Sequence, residues 1–305
     1  MRAKKYFVRY AQISQTTDKT IVRFMDTSEH HPEREDLPEN WAYHPQRLPP
    51  VQQFWINRLI QARGDERKQA GIVEMMSFAG YSESVIQAAT EWADQGELIE
   101  PGVLQVRNYL DATTCQRLIE DGDASKPIPM GVNRESNDDL LKSQLSDARV
   151  VAQLPWRQCL PEVLKILREI CVNQISPHYD KQIAKFEYPQ LLYYEPGGHY
   201  HAHADADHCD KLTGVWQRRA QRDYTILLFL NDDYEGGQLE FGNFGIRISP
   251  RAGDLVCFPS DFHHAHEAKA VVNGNRVCIV TWVVGSHSAP ATHSFAQSPG
   301  YFEVG

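Results

Sequence analysis

The chain has 305 residues, 42% of them hydrophobic and 23% charged, with a formal net charge of −9. That length buries a sizeable core, while no apolar run approaches the roughly 20 residues that span a bilayer, so a membrane protein is excluded. The acidic balance argues against a general nucleic-acid binder, whose partner demands a basic footprint, and the N-terminus lacks the continuous apolar segment of a secretory signal, so a cytoplasmic location is expected.

In chain order, residues 5–10 (KYFVRY) and 20–25 (TIVRFM) are β-branched and aromatic runs separated by the polar stretch TTDK, which predicts a hairpin. Residues 30–50 are polar, charged and proline-dotted and read as a long surface connection; His30, His31 and His44 lie there with no ligand spacing to join them. Residues 51–63 follow as a helix with Val51, Phe54, Trp55, Leu59 and Ile60 on one broad face and Gly64 as its stop. Asp65 caps a second helix ended by Gly80, and Ser82 caps a third whose Val85, Ile86, Ala89 and Trp92 make an apolar stripe. Residues 1–100 are therefore expected to form an accessory region, a hairpin plus helices, without recognisable chemistry.

The texture changes at Pro101-Gly102. Residues 103–110 are strand-like, and Asp111 then caps a helix that buries Cys115, Leu118 and Ile119. Residues 121–150 are polar and read as an irregular surface excursion or lid, and Pro161–Ile175 reads as another amphipathic helix. Beyond Ala184 the period becomes two, with β-rich runs (QLLYYEP, HYHAHAD, DYTILLFLN, GQLEFGN, FGIRISP, DLVCFP and RVCIVTWVVG) that predict an antiparallel sandwich or barrel. Helices precede these strands, so the class is α+β, with a domain over residues 101–286 and a polar C-terminal tail, 287–305, laid across the surface. The six cysteines include no CxxC pair and sit mostly in apolar segments, which speaks against a disulfide framework or zinc knuckle.

Leu191–Asp210, LLYYEPGGHYHAHADADHCD, concentrates potential metal ligands. A His-x-Asp pair on a strand puts both side chains on one face, and two pairs fit, His203-x-Asp205 and His208-x-Asp210. A third ligand has to come from far along the chain, where His263, His264 and His266 supply it. Taken as chemistry alone, the set is compatible with a two-histidine, one-carboxylate iron oxygenase, a zinc hydrolase, or a ligand-free jelly roll.

Here the sequence resembles the prolyl 4-hydroxylase-like 2-oxoglutarate and Fe(II)-dependent dioxygenases. Tyr194-x-x-Gly197-x-x-Tyr200-x-x-His203-x-Asp205 is similar to their first signature and selects that pair over His208 and Asp210. Residues 225–231 (TILLFLN) and Glu235-Gly-Gly-Gln-Leu-Glu-Phe241 are similar to the next strand and hairpin. Gly253-Asp254, Phe258-Pro259-Ser260, His266, Val271, Gly274 and Arg276 are similar to the last block, whose spacing selects His266 and leaves His263 and His264 as outer or substrate-side groups. Two positions depart from the pattern: Phe229 stands where a tyrosine is common, and Ala270 where a proline is usual.

The resemblance, which covers about residues 102–285, implies a double-stranded β-helix (jelly-roll) core with supporting helices. It implies Fe(II) held by His203, Asp205 and His266, with Arg276 gripping the distal carboxylate of 2-oxoglutarate and Tyr194 as a further cosubstrate contact. Thr225 or another tyrosine would replace the hydroxyl missing at Phe229. The implied activity is a 2-oxoglutarate-dependent hydroxylase, procollagen-proline 4-dioxygenase-like, that consumes O2, releases succinate and CO2, and uses ascorbate as a reductant. Asp205 argues against the halogenating variant. The implied partner is a peptide or small-molecule substrate, with no nucleic acid and no membrane; a homo-oligomer stays open. A hydroxylase of a free amino acid or small natural product and a metal-stabilised, non-catalytic binding module are the alternatives. By strand parity with His203, His199 and His201 are expected in the pocket wall, and the loop 208–222 (Trp216, Arg218, Arg219) is expected to act as a lid.

Overall fold

The computed structural model describes residues 9–16, 19–26, 44–122, 124–135, 140–210, 213–291, 294–295 and 300–305, with residues 9–16, 19–26, 133–135, 140–144 and 294–295 described as backbone only. The expected hairpin is present as β1 (Arg9–Thr16) and β2 (Lys19–Asp26), paired antiparallel with Ile13 opposite Val22. Residues 5–8 of the expected first run lie outside the described residues. Of the expected connection over 30–50, residues 30–43 lie outside the described residues, as do His30 and His31, whereas His44 accepts from the Gln46 backbone at 3.1 Å in a local turn.

Three helices follow, α1 (Gln53–Gln61), α2 (Glu66–Phe78) and α3 (Glu83–Gln95). The caps are the expected ones: Asp65 accepts from the Lys68 backbone and Ser82 from that of Val85, each satisfying one amide of the first turn. The buried face of α1 is Trp55, Ile56 and Leu59, so Phe54 is half exposed and Ile56 takes the place expected for it. Ile56 lies three residues before Leu59 and so on its side of the helix, while Phe54 projects about a quarter-turn away from Trp55 and carries Arg58 on its ring. These helices share a core of their own, with Met76, Ala89 and Trp92 at its centre.

The chain divides into two compact units, residues 1–101 with 210–215 and 241–247, and the remainder. The second unit opens with β3 (Leu104–Val106) and α4 (Ala112–Asp121), capped by Asp111 as expected. Residues 121–150 differ from the expected irregular excursion. They contain β4 (Ile128–Pro129), β5 (Val132–Glu135), β6 (Leu140–Gln144) and β7 (Arg149–Val150), of which β5 and β6 form an antiparallel pair. Strands of two to five residues are too short to leave a period-two pattern. After β8 (Ala152–Leu154) comes α5 (Leu160–Ile170), with Pro161 in its first turn, continued by a π-helical turn over Cys171–Ile175.

The strand-rich half then runs β9 (Ile183–Glu187), β10 (Gln190–Tyr194), β11 (His199–His203), β12 (Asp207–Cys209), β13 (Trp216–Arg218), β14 (Tyr224–Phe229), β15 (Glu235–Gly236), β16 (Leu239–Phe241), β17 (Ile246–Ile248), β18 (Leu255–Pro259), β19 (His266–Ala268), β20 (Val271–Asn273), β21 (Arg276–Gly285), β22 (Ser294–Phe295) and β23 (Tyr301–Glu303). The larger sheet runs β3-β18-β14-β21-β10-β8-β4, with β9 paired to β21 and β23 to β9, and the smaller runs β17-β16-β19-β11-β7. Apart from the β16–β17 pair, the chain passes back and forth between the two sheets, which is jelly-roll connectivity: β10, β14, β18 and β21 in one, β11, β16, β17 and β19 in the other. The tail, expected to lie across the surface, ends instead as a strand on the sheet, with Phe302 opposite Phe186.

Parity on the larger sheet separates core from site. Leu191, Ile226, Leu228, Ile279 and Val283 face outward and pack with Leu118 of α4 and Val163, Leu167 and Ile170 of α5. Leu192, Leu227, Val280 and Trp282, on the alternate positions, face a pocket that both sheets line. With both faces covered, residues 276–284 of β21 are all buried, which is why that strand reads as a continuous apolar run.

Candidate metal centre

His203 closes β11, Asp205 lies in the turn beyond it, and His266 opens β19 directly opposite His203 in register. One ligand atom from each lies within 4.8 Å of the others, the only such trio among the described residues. Asp205 presents one carboxylate oxygen 3.6 Å from His203 Nε2 and the other 3.6 Å from His266 Nε2. The far ring nitrogens are already committed: His203 Nδ1 donates to the His201 carbonyl at 2.8 Å and His266 Nδ1 to the His264 carbonyl at 3.1 Å. Those bonds fix the tautomer that turns each Nε2 lone pair toward the shared point.

Burial pushes the Asp205 carboxyl up, but His266, the hydrogen bond with His203 and Arg222 outweigh it and hold the group well below the usual carboxylate range. Burial pushes His266 down to about 4, against the pull of Asp205. An ionised carboxylate beside a neutral imidazole is the protonation state that a metal site requires. The Thr225 hydroxyl donates to Asp205 at 2.6 Å and contacts the Ser260 hydroxyl at 2.9 Å. Behind it, Arg222 forms a bidentate pair with Glu187 at 2.7 and 2.8 Å and lies over the Trp282 ring.

The trio opens into a pocket of about 390 Å³, its mouth included, which Tyr194, Tyr200, Arg149 and Arg276 also line. Arg276 is 2% exposed. Its guanidinium lies 4.2 Å from the Tyr194 ring centre and 5.6 Å from that of Phe229, one nitrogen donates to the Gly237 carbonyl at 2.8 Å, and Nε is buried with no partner. Gly237 has a left-handed backbone, and a Cβ there would lie 2.9 Å from Tyr234 and 3.2 Å from Arg276, so the Glu-Gly-Gly turn makes room for the arginine. A buried guanidinium whose pocket offers, among the described residues, no carboxylate other than Asp205 suits an anionic ligand. The residues present therefore fit a facial metal ion with a carboxylate-bearing chelator beside it.

All five expected site residues, His203, Asp205, His266, Arg276 and Tyr194, meet in this pocket. His199 and His201 do not. The pairing of Tyr200 with Ala268 and of His203 with His266 spans three steps on β11 and two on β19, a β-bulge that breaks the parity argument. Tyr200 thereby joins His203 on the pocket side, its ring stacked 3.4 Å from the histidine, while His199 and His201 stack on each other outside. His208 is exposed on β12, and His264 is tied to Asp261 at 2.7 Å. Thr225, expected as a cosubstrate hydroxyl, is engaged with Asp205 instead. The expected lid over 208–222 contains the short hairpin β12-β13, with Trp216 stacked on Phe262; residues 211–212 lie outside the described residues. Sequence reasoning missed Arg149 and Trp282; stepping by two from Arg276 reaches Trp282, whereas Arg149 carries no local signal.

Residues 189–284 match the superfamily described as 2OG-Fe(II) oxygenase. The matched segment contains all five residues above. Over 89 residues the chain is 38% identical to human prolyl 3-hydroxylase 3, covering 26% of this chain and 12% of that protein. It is 30% identical over 143 residues to a PKHD-type hydroxylase of Stenotrophomonas maltophilia, covering 43% of this chain and 61% of that one. The chain thus spans about an eighth of the length of the first relative. Among solved structures it is similar to viral collagen prolyl hydroxylase from Paramecium bursaria Chlorella virus-1 in complex with 2OG, with a TM-score of 0.44, 20% identity, and coverage of 59% of this chain and 94% of that one.

Proposed function

We propose that the domain is an Fe(II)- and 2-oxoglutarate-dependent hydroxylase of a prolyl or amino-acid-type C–H bond, releasing succinate and CO2. The observation that carries the reading is one pocket holding two imidazoles, one carboxylate and a buried arginine with an unpartnered N–H. Together the metal and cosubstrate supply the oxidising chemistry that places one oxygen atom of O2 on the substrate. His203, Asp205 and His266 hold the metal from one side and leave the other open. Arg276 fixes the far end of the cosubstrate, with Tyr194 beneath its guanidinium as a second contact. Leu192, Leu227, Leu239, Ala268 and Val280 wall the pocket with apolar surface that excludes water.

The prolyl assignment rests on the names of the matched relatives, prolyl 3-hydroxylase and PKHD-type hydroxylase. Residues 1–100 are proposed as an accessory region to a catalytic domain over 101–286, with 287–305 as its tail; limited proteolysis yielding a stable fragment that starts near residue 101 tests the division. No described helix is long and apolar enough to cross a membrane, and the cytoplasmic location stays part of this proposal. The decisive experiment is aerobic turnover after anaerobic Fe(II) loading, reading succinate and a one-oxygen mass gain on proline-containing peptides and on free amino acids. Succinate coupled to peptide oxidation supports the reading, free amino acids alone would move the substrate class, and activity with Zn(II) in place of Fe(II) would sink it.

A further inference from the structure

The pocket holds a second guanidinium that the proposed function leaves unused. Arg149 lies on β7, opposite Tyr200 in register, and its guanidinium carbon sits 4.8 Å from the Tyr200 ring centre. One terminal nitrogen is held by the Gly131 carbonyl at 3.0 Å, so the group is tethered at one end. Its Nε, like that of Arg276, is buried without a partner. The two arginines come from opposite sheets and line the same pocket.

Both also act on the same two groups. Burial pushes the Tyr194 hydroxyl up to about 12, and both Arg276 and Arg149 pull against that rise; burial pushes the Cys278 thiol up, and the same two arginines oppose it. Two cations that act on one phenol and one thiol repel each other, and an unpaired buried N–H on each adds a desolvation cost. Asp205, the one carboxylate among the described residues that line the pocket, is engaged by Thr225 and faces the histidines. A carboxylate within reach of both guanidiniums would offset both costs. Phe229, beside Arg276, carries no hydroxyl, and that of Thr225 is taken by Asp205.

We propose that Arg149 is a second cationic contact for the carboxylate that Arg276 holds, so that the distal end of the cosubstrate is clamped from both sheets. The inference rests on the 2-oxoglutarate reading above and deepens it. A 2-oxo acid that lacks the distal carboxylate, such as pyruvate, makes no use of the clamp.

Calorimetric titration of the Mn(II)-loaded full chain under anaerobic conditions tests this without turnover. Arg149→Gln is expected to weaken 2-oxoglutarate binding by roughly 10- to 100-fold, the range of a lost charge-assisted hydrogen bond, while Mn(II) and pyruvate affinities stay at wild-type values. Arg149→Lys, which keeps a cation over Tyr200, is expected to lose less and carries the same comparison if the glutamine variant does not fold. The double variant with Arg276→Gln should lose less than the sum of the two single losses, because both arginines serve one carboxylate. Wild-type 2-oxoglutarate affinity in Arg149→Gln would overturn the proposal, including the case in which only substrate binding suffers. Equal losses for pyruvate and 2-oxoglutarate would overturn it too, reducing Arg149 to a support for Tyr200. A wild-type protein that binds pyruvate and 2-oxoglutarate equally would remove the clamp and the proposed function together.

Discussion

Thr225 holds Asp205 by a 2.6 Å hydrogen bond that leaves the carboxylate with a fixed orientation toward both histidines. Thr225→Val keeps the side-chain shape and removes the donor. We expect Mn(II) affinity to fall by roughly 10- to 100-fold, as for other supports of metal ligands, with the melting temperature little changed. Unchanged affinity by calorimetry would mean that packing alone orients Asp205.

Two histidines separated by one residue should behave differently. His266→Ala removes a ligand and is expected to abolish measurable Mn(II) binding. His264→Ala deletes the partner of Asp261 at 2.7 Å, so it should lower stability by about 1–3 kcal/mol while metal binding persists. The reverse pattern would move the third ligand.

Arg276→Gln should raise the 2-oxoglutarate requirement by about 100-fold or more, because it removes a buried charge-assisted contact, and should leave metal affinity near wild type. A parallel loss of metal binding would show that the arginine supports the centre, not the cosubstrate.

The metal centre was legible because its residues sit in contiguous blocks, and spacing survives translation into structure. Helix caps at Asp65, Ser82 and Asp111 were legible for the same local reason. What escaped depends on distant partners or on broken periodicity. Arg149 enters the pocket from a segment whose strands are too short and polar to announce themselves, and pairs with β11 through backbone bonds that no side-chain pattern encodes. His199 and His201 were misplaced because an alternation rule was carried across the residue where the strand ceases to alternate.

Acid stability should depend on Asp121. Its carboxylate accepts from the backbone amides of Arg157, Gln158 and Cys159 at 2.8–3.0 Å, which joins the end of α4 to the approach to α5. Burial pushes this carboxyl up, but the three amides outweigh it and hold the group below its ordinary value. Its contribution is therefore complete above the unfolded value of about 4 and is lost as pH falls through the lower folded value. Asp121→Asn should cost about 1–3 kcal/mol in urea unfolding at neutral pH, and the gap to wild type should close in acid. A gap that does not change with pH would exclude the charge as its source.

The extra residue between Tyr200 and His203 also makes the pocket sensitive to chain length at a single point. Removing one residue there would restore strict alternation to β11 and turn either the tyrosine or the histidine out of the pocket, with every chemical group still present in the sequence. A deletion of this kind would leave a folded jelly roll with a dismantled metal centre, so a count of conserved ligands would overstate what such a variant can do.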